Sequence, residues 1–114
     1  MQGWMTQIRK GLVELCLLQV LAQDGEAYGY EILRRLSRVS ELELSESTLY
    51  PVLSRLAQQR LLSVRKAPSP VGPPRRYYRI TPEGTRKLKD MHGHWKQLCL
   101  TIDRLFNGVE TNDE

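Results

Sequence analysis

Apolar residues return along this chain first at helical spacing and then, after Arg60, in short strand-like runs. Over residues 6–23, Ile8, Leu12, Leu15, Cys16 and Leu18 fall on one helical stripe, and Val13, Leu17, Val20 and Leu21 widen it. A helix this apolar on more than one face is expected to pack against two things, its own core and a partner. Asp24-Gly25 is a turn signal. In YGYEILRRLSRV, Gly29, Ile32, Leu33 and Leu36 follow i, i+3, i+4, i+7, which predicts a short second helix over 28–39. Glycine on that stripe lets another backbone come close.

The segment SESTLYPVLSRLAQQR predicts a third helix. Ser45 suits the N-cap, and Glu46 places an anion in the first turn, where the helix dipole favours it. Leu49, Val52, Leu53 and Leu56 form one face; Ser47, Pro51, Ser54 and Gln58 lie opposite, flanked by Tyr50 and Arg55. Pro51 withholds the N–H that would bond the Ser47 carbonyl, so the first turns are expected to loosen or bend.

LLSVRKA and RRYYRI then read as strands, separated by PSPVGPP, which is too rich in proline for either a helix or a strand interior. Together they predict a two-stranded hairpin with a protruding loop. Leu62 and Val64 share one face of its first strand, and Tyr78 and Ile80 one face of its second. Tyr77 and Tyr78 alternate, so one enters the core while the other stays partly exposed.

Thr81-Pro82-Glu83 starts another helix, with a capping threonine, a proline at the first helical position and then an acid. It is expected to run to Phe106, with Asn107-Gly108 as its stop. Leu88, Met91, Trp95, Leu98, Ile102 and Leu105 repeat every seven residues, and His92, Cys99 and Phe106 form a second row. So regular a seam suits another helix, here one from a second copy. The alternative is that it covers its own domain's core.

Composition narrows the picture. With 114 residues, of which 40% are hydrophobic, the chain can fold as one domain and is not wholly disordered. The net charge of +4 favours an anionic partner without naming one. Cys16 and Cys99 sit among apolar residues at no ligand spacing, which reads as two reduced, buried thiols. The apolar run 15–18 is cut by Gln19, so no membrane span is expected, nor a secretory leader; the expectation is a soluble, cytoplasmic protein. His92 and His94 diverge on their helix, so no metal is expected. No Ser/His/Asp or Cys/His set and no phosphate-cradling glycine loop occurs, which argues against an enzyme and a cofactor.

The distribution of charge says more than its total. Between Arg60 and Pro82 stand Arg65, Lys66, Arg75, Arg76 and Arg79 without one Asp or Glu. A hairpin that collects cations and keeps anions away is built to meet a polyanion. The third helix carries small polar residues, Ser45, Ser47 and Thr48, at its outward N-terminal end, followed by Tyr50, Ser54 and Arg55. Such a face can enter a major groove without clashing.

The predicted fold class is therefore mainly α with a small β-hairpin, a winged helix-turn-helix plus a long C-terminal helix. Residues 1–80 form the DNA-binding domain, 81–108 the dimerisation helix and 109–114 a frayed acidic tail.

YGYEILRRL, LSESTLYPVLSRLAQQRLL and GPPRRYYRITPEG, in this order and spacing, resemble the PadR family of bacterial transcriptional regulators, particularly its short members with a single C-terminal helix. The resemblance covers most of residues 10–90. It implies a homodimer in which the long helix packs on the first helix of the partner, so that Ile8 and Leu12 meet Leu88, Met91, Trp95, Leu98, Ile102 and Leu105. It also implies that Tyr28, Ser45, Ser47, Thr48, Tyr50 and Ser54 lie near double-stranded DNA, with Lys66, Arg75 and Arg76 as the wing's cations. The function it implies is a repressor on a roughly palindromic operator. Some dimers of the family take up flat aromatic molecules at the subunit interface, which makes Trp95 a candidate effector contact; the alternative is that it is interface core.

Two further roles stay open. Arg79 either stacks on a tyrosine or pairs with an acid, and Tyr50 either reaches a phosphate or packs. A rival for the whole chain is a winged-helix interaction module that docks its basic wing on an acidic protein partner.

Overall fold

The computed structural model describes residues 2–39 and 44–108. The acidic tail expected over 109–114 lies outside them. The elements run α1 (Gln2–Asp24), β1 (Ala27–Tyr28), α2 (Gly29–Ser37), α3 (Glu46–Gln58), β2 (Leu62–Ala67), β3 (Arg75–Ile80) and α4 (Pro82–Phe106). The long dimension is 60 Å against 33 and 21 Å. Alone, the 25 residues of α4 span about 37 Å at helical rise. No helix among the described residues is long and apolar enough to cross a membrane.

Burial follows the predicted stripes in α2 and α3, but in α1 it falls on Leu18 and the widening residues Val13, Leu17, Val20 and Leu21, while Ile8, Leu12, Leu15 and Cys16 are half-buried. Leu17, Leu18 and Leu21 of α1, Ile32 and Leu36 of α2, and Leu49, Leu53 and Leu56 of α3 are fully buried around one core. Leu62 of β2 and Tyr78 of β3 close it from the sheet side. The helical half fits the expectation, except that α1 begins at Gln2, well before residue 6, and α2 stops at Ser37. Pro51 does not break α3, which runs unbroken from Glu46 because three buried leucines hold the turns on either side. Ser45 holds the N-cap position, but its hydroxyl caps no backbone N–H.

The sheet is where the expectation needs correcting. It has three antiparallel strands in the order β1-β3-β2, not two. The two-residue β1 pairs Ala27 with Tyr78 and Tyr28 with Tyr77. No periodicity could announce so short a strand; its pairing comes from the far end of the chain. Tyr78 is buried and Tyr77 half-buried, as alternation requires, but Val64 is 43% exposed although it pairs with Tyr78. The core ends before reaching it.

The hairpin is anchored to α4 at one junction. Arg60 takes a left-handed conformation (φ 64°), closing α3 with Leu61 N–H donating to the Leu56 carbonyl at 3.0 Å. Thr81 then grips this turn: its hydroxyl donates to the Arg60 carbonyl (2.8 Å) and accepts from Gly84 N–H (2.9 Å). Gly84 is buried, and a Cβ there would stand 2.2 Å from the Leu61 carbonyl oxygen.

Two further readings change. Cys16 and Cys99 are free thiols, half-buried where full burial was expected, and burial pushes the Cys16 thiol's pKa up. Leu88 is 8% exposed and belongs to the core of its own domain, which withdraws it from the seam offered to a second copy. Further along α4 the seam is open: Leu98 is 51%, Leu105 66% and Phe106 85% exposed.

Candidate nucleic-acid interface

The outward faces of α2, α3 and β3 meet in a concavity of about 420 Å³ lined by Tyr28, Tyr30, Tyr50, Ser54, Arg75 and Arg76, with Gly29, Pro74 and Tyr78 in its walls. Five residues named from the sequence therefore converge: Tyr28, Tyr50, Ser54, Arg75 and Arg76. Two arginines, a serine and tyrosines lining one concavity make a site suited to an anionic backbone.

Gly29 explains how α2 and α3 fit. Its absent Cβ would lie 2.5 Å from the Tyr50 Cε1 atom, so the close approach is to a side chain, where a backbone had been expected. Tyr50 is nonetheless 38% exposed. It both packs and faces outward, and partial burial pushes its hydroxyl's pKa up. Among the described residues of α3 it is the one large apolar side chain left exposed.

At the start of α3 the Ser45 hydroxyl hydrogen-bonds those of Ser47 (2.9 Å) and Thr48 (3.3 Å). These three form a small polar cluster of their own, and none of them lines the concavity. Lys66 is the cross-strand partner of Arg76, and both are exposed on the hairpin. No acid of the hairpin offsets them.

Arg55 does not join this group. Its guanidinium donates to Glu14 of α1 at 3.1 Å, an exposed pair that turns it toward the helical body. The ring stack and acid partner expected of Arg79 belong to Arg65. Arg65 Nε and Nη2 donate to the two Glu26 carboxylate oxygens at 2.9 and 2.8 Å, and its guanidinium carbon lies 4.8 Å from the Tyr77 ring centroid. These hydrogen bonds hold the Glu26 pKa below its ordinary value and raise that of Arg65. Glu26 precedes β1 and lies far from the hairpin in sequence, so the acid-free count over residues 61–81 could not reveal it. Tyr30 was likewise missed; it sits off the buried stripe of α2, and that was its one signal in the sequence.

A second concavity, about 460 Å³, lies between α1 and α4. Gln7, Ile8, Leu12, Leu15, Met91, His94, Trp95 and Leu98 line it within a single chain. Of the residues expected to face a partner, Ile8, Leu12, Met91, Trp95 and Leu98 stand together here, whereas Leu88, Ile102 and Leu105 do not line it.

Residues 17–90 match the model of the transcriptional regulator PadR-like family, a span that includes α2, α3 and the hairpin. The chain belongs to this family. It is similar to a PadR-like transcription factor from Bacteroides fragilis, with 37% identity over 88% of this chain and 95% of that one, at a TM-score of 0.74. A PadR family transcriptional regulator from Eggerthella lenta is 32% identical over 97% of this chain and 93% of that one, with a TM-score of 0.79. An uncharacterized protein of Lysinibacillus sphaericus is 31% identical across 105 residues, 90% of this chain and 94% of its own length. The mainly helical fold with a small antiparallel sheet and a C-terminal helix is the PadR winged helix. As a PadR-like protein the chain is a DNA-binding transcriptional regulator, in a family of transcriptional regulators, which are generally not enzymes.

Proposed function

We propose that the protein is a homodimeric repressor that binds a roughly palindromic operator. Each α3 enters a major groove with Ser45, Ser47, Thr48, Tyr50 and Ser54, and each hairpin lays Lys66, Arg75 and Arg76 on the flanking backbone. Tyr28 lies beneath Arg75, and Arg55 stays with Glu14 and contributes little. Residues 81–108 serve the dimer. The observation that carries this reading is the concavity in which Arg75 and Arg76 stand beside Tyr50 and Ser54.

The open seam on α4 supports the dimer. Leu98, Ile102, Leu105 and Phe106 expose apolar surface that their own domain leaves uncovered. The α1–α4 concavity lined by Trp95 suits a small aromatic effector, with Trp95 37% exposed. An interaction module with an acidic protein partner would be expected to expose large apolar side chains on α3, and Tyr50 by itself does not make such a face.

The wing reading is tested by titrating DNA with the Arg75→Ala, Arg76→Ala double variant across a salt series. Affinity for all sequences should fall, and the slope of log K against log salt should flatten by about 0.9 per arginine lost. Substitutions at Ser47, Thr48 or Ser54 should instead change sequence preference. Unaltered binding by the double variant would defeat the wing assignment.

A further inference from the structure

One row of side chains crosses all three strands of the sheet and ends on Arg75. Tyr28 of β1, Tyr77 of β3 and Arg65 of β2 are direct cross-strand partners, so they share one face. Arg75 lies two residues before Tyr77 on the same strand, which puts it on that face as well. The contacts follow the register. Glu26 accepts two hydrogen bonds from Arg65. Arg65 lies over the Tyr77 ring, and Tyr77 meets Tyr28 edge to face, with centroids 5.5 Å apart and planes at 67°. The Arg75 guanidinium carbon is 4.3 Å from the Tyr28 ring centroid.

This row sorts the wing's cations into two kinds. Arg65 is bound by a carboxylate in a bidentate pair, so its charge is largely offset before any polyanion arrives. Arg75 has no carboxylate partner among the described residues, but its guanidinium is held on an aromatic face. An arginine free in solvent loses much rotamer freedom when it binds, whereas one already seated on a ring loses less. The neighbouring Arg76, next along β3, projects from the other face and has no such seat among the described residues.

We propose that Tyr28 is a positioning residue: its ring, braced through Tyr77 and Arg65 to Glu26, holds Arg75 in the orientation in which it meets DNA. Arg65 itself makes no contact with the DNA. The proposal rests on the wing reading above and goes beyond it, because it moves Tyr28 from contact to support and gives Arg65 a bracing role.

The test is a titration of the full chain against a duplex from upstream of its own gene, repeated across a salt series. Melting curves confirm that each variant is folded. Tyr28→Phe keeps the ring and should bind like the parent. Tyr28→Leu should lose roughly three- to tenfold in affinity, the scale of one cation–π contact, with the salt slope unchanged because Arg75 keeps its charge. Arg75→Ala should lower the affinity and flatten the slope by about 0.9. The Tyr28→Leu, Arg75→Ala double variant should bind no more weakly than Arg75→Ala alone. Arg65→Ala, at an exposed position, should weaken binding with the slope unchanged.

Additive losses in the double variant would overturn the proposal, as would equal losses from Tyr28→Phe and Tyr28→Leu, which would make the hydroxyl a DNA contact. A slope flattened by about 0.9 in Arg65→Ala would overturn it too, since Arg65 would then be a phosphate contact. In each of these cases the wing reading survives. If Arg75→Ala leaves both affinity and slope unchanged, the wing reading falls and takes the proposal with it.

Discussion

Replacing Gly84 with alanine adds one methyl group at the point where the hairpin hands over to α4. Its Cβ would stand 2.2 Å from the Leu61 carbonyl oxygen, 2.8 Å from Ile80 Cγ1 and 3.1 Å from the Leu61 carbonyl carbon. Two of those atoms are backbone, so no rotamer change relieves the clash. The oxygen already accepts from Thr81 N–H (3.0 Å) and takes the longer branch (3.1 Å) of the Thr81 hydroxyl proton it shares with the Arg60 carbonyl, which fixes it further. Overpacking of this kind costs roughly 1–3 kcal/mol. Displacing the carbonyl weakens the Thr81 N–H hydrogen bond, worth about 0.5–1.5 kcal/mol, and the longer branch of the shared hydroxyl bond. Against this, alanine in place of glycine gains at most about 1 kcal/mol of helix propensity.

The net expectation is destabilisation by about 2 kcal/mol, or a melting temperature lower by roughly 8–16 °C for a domain of this size. Gly93 supplies the control. It lies in the same helix with nothing within 4 Å of its would-be Cβ, and in the heptad it falls on the side away from the seam. Gly93→Ala should therefore stabilise by up to about 1 kcal/mol. Thermal melts followed by circular dichroism, at one protomer concentration because association raises apparent stability, should rank Gly93→Ala above the parent and Gly84→Ala below it. A Gly84→Ala variant melting at or above the parent would refute the close approach of α4 to the Leu61 carbonyl.

Charging the open seam with Leu98→Glu and Ile102→Glu should convert a dimer into a folded monomer, read as a halved mass in light scattering while the helical signal persists. Leu53→Ala removes a fully buried side chain from α3 and should cost about 2–5 kcal/mol in chemical denaturation, with a loss on that scale whatever the oligomeric state. Glu26 is held below the ordinary carboxylate range by Arg65, so its contribution to stability is complete above the unfolded-state value and is lost as pH falls through the lower folded value. An NMR titration should find the Glu26 midpoint below those of unpaired glutamates, and Arg65→Ala should return it to the ordinary range.

How much of this was legible in the sequence depends on the range of the interaction involved. The three helical stripes, the Thr81-Pro82 start and the two hairpin strands could be read because each depends on residues within a turn or two of one another. The small polar face of α3 and the cationic hairpin were legible for the same reason. Sequence also gave notice of the seam on α4, since a seven-residue repeat is a property of one helix.

Tertiary structure decided what lies between elements. β1 exists because Ala27 and Tyr28 meet residues fifty positions later, and no local pattern encodes that meeting. Arg65 and Arg79 look alike along the hairpin, yet the fold brings Glu26 to one and not the other in hydrogen-bonding distance. Arg55 shares the α3 surface with Ser54 but is drawn to Glu14, and Leu88 shares its repeat with Leu105 but is covered by its own domain. In each case side-chain type and spacing set which groups were available. The close packing of distant segments then chose their partners, because a charge or an apolar surface is satisfied by whatever the fold places within a few ångströms of it.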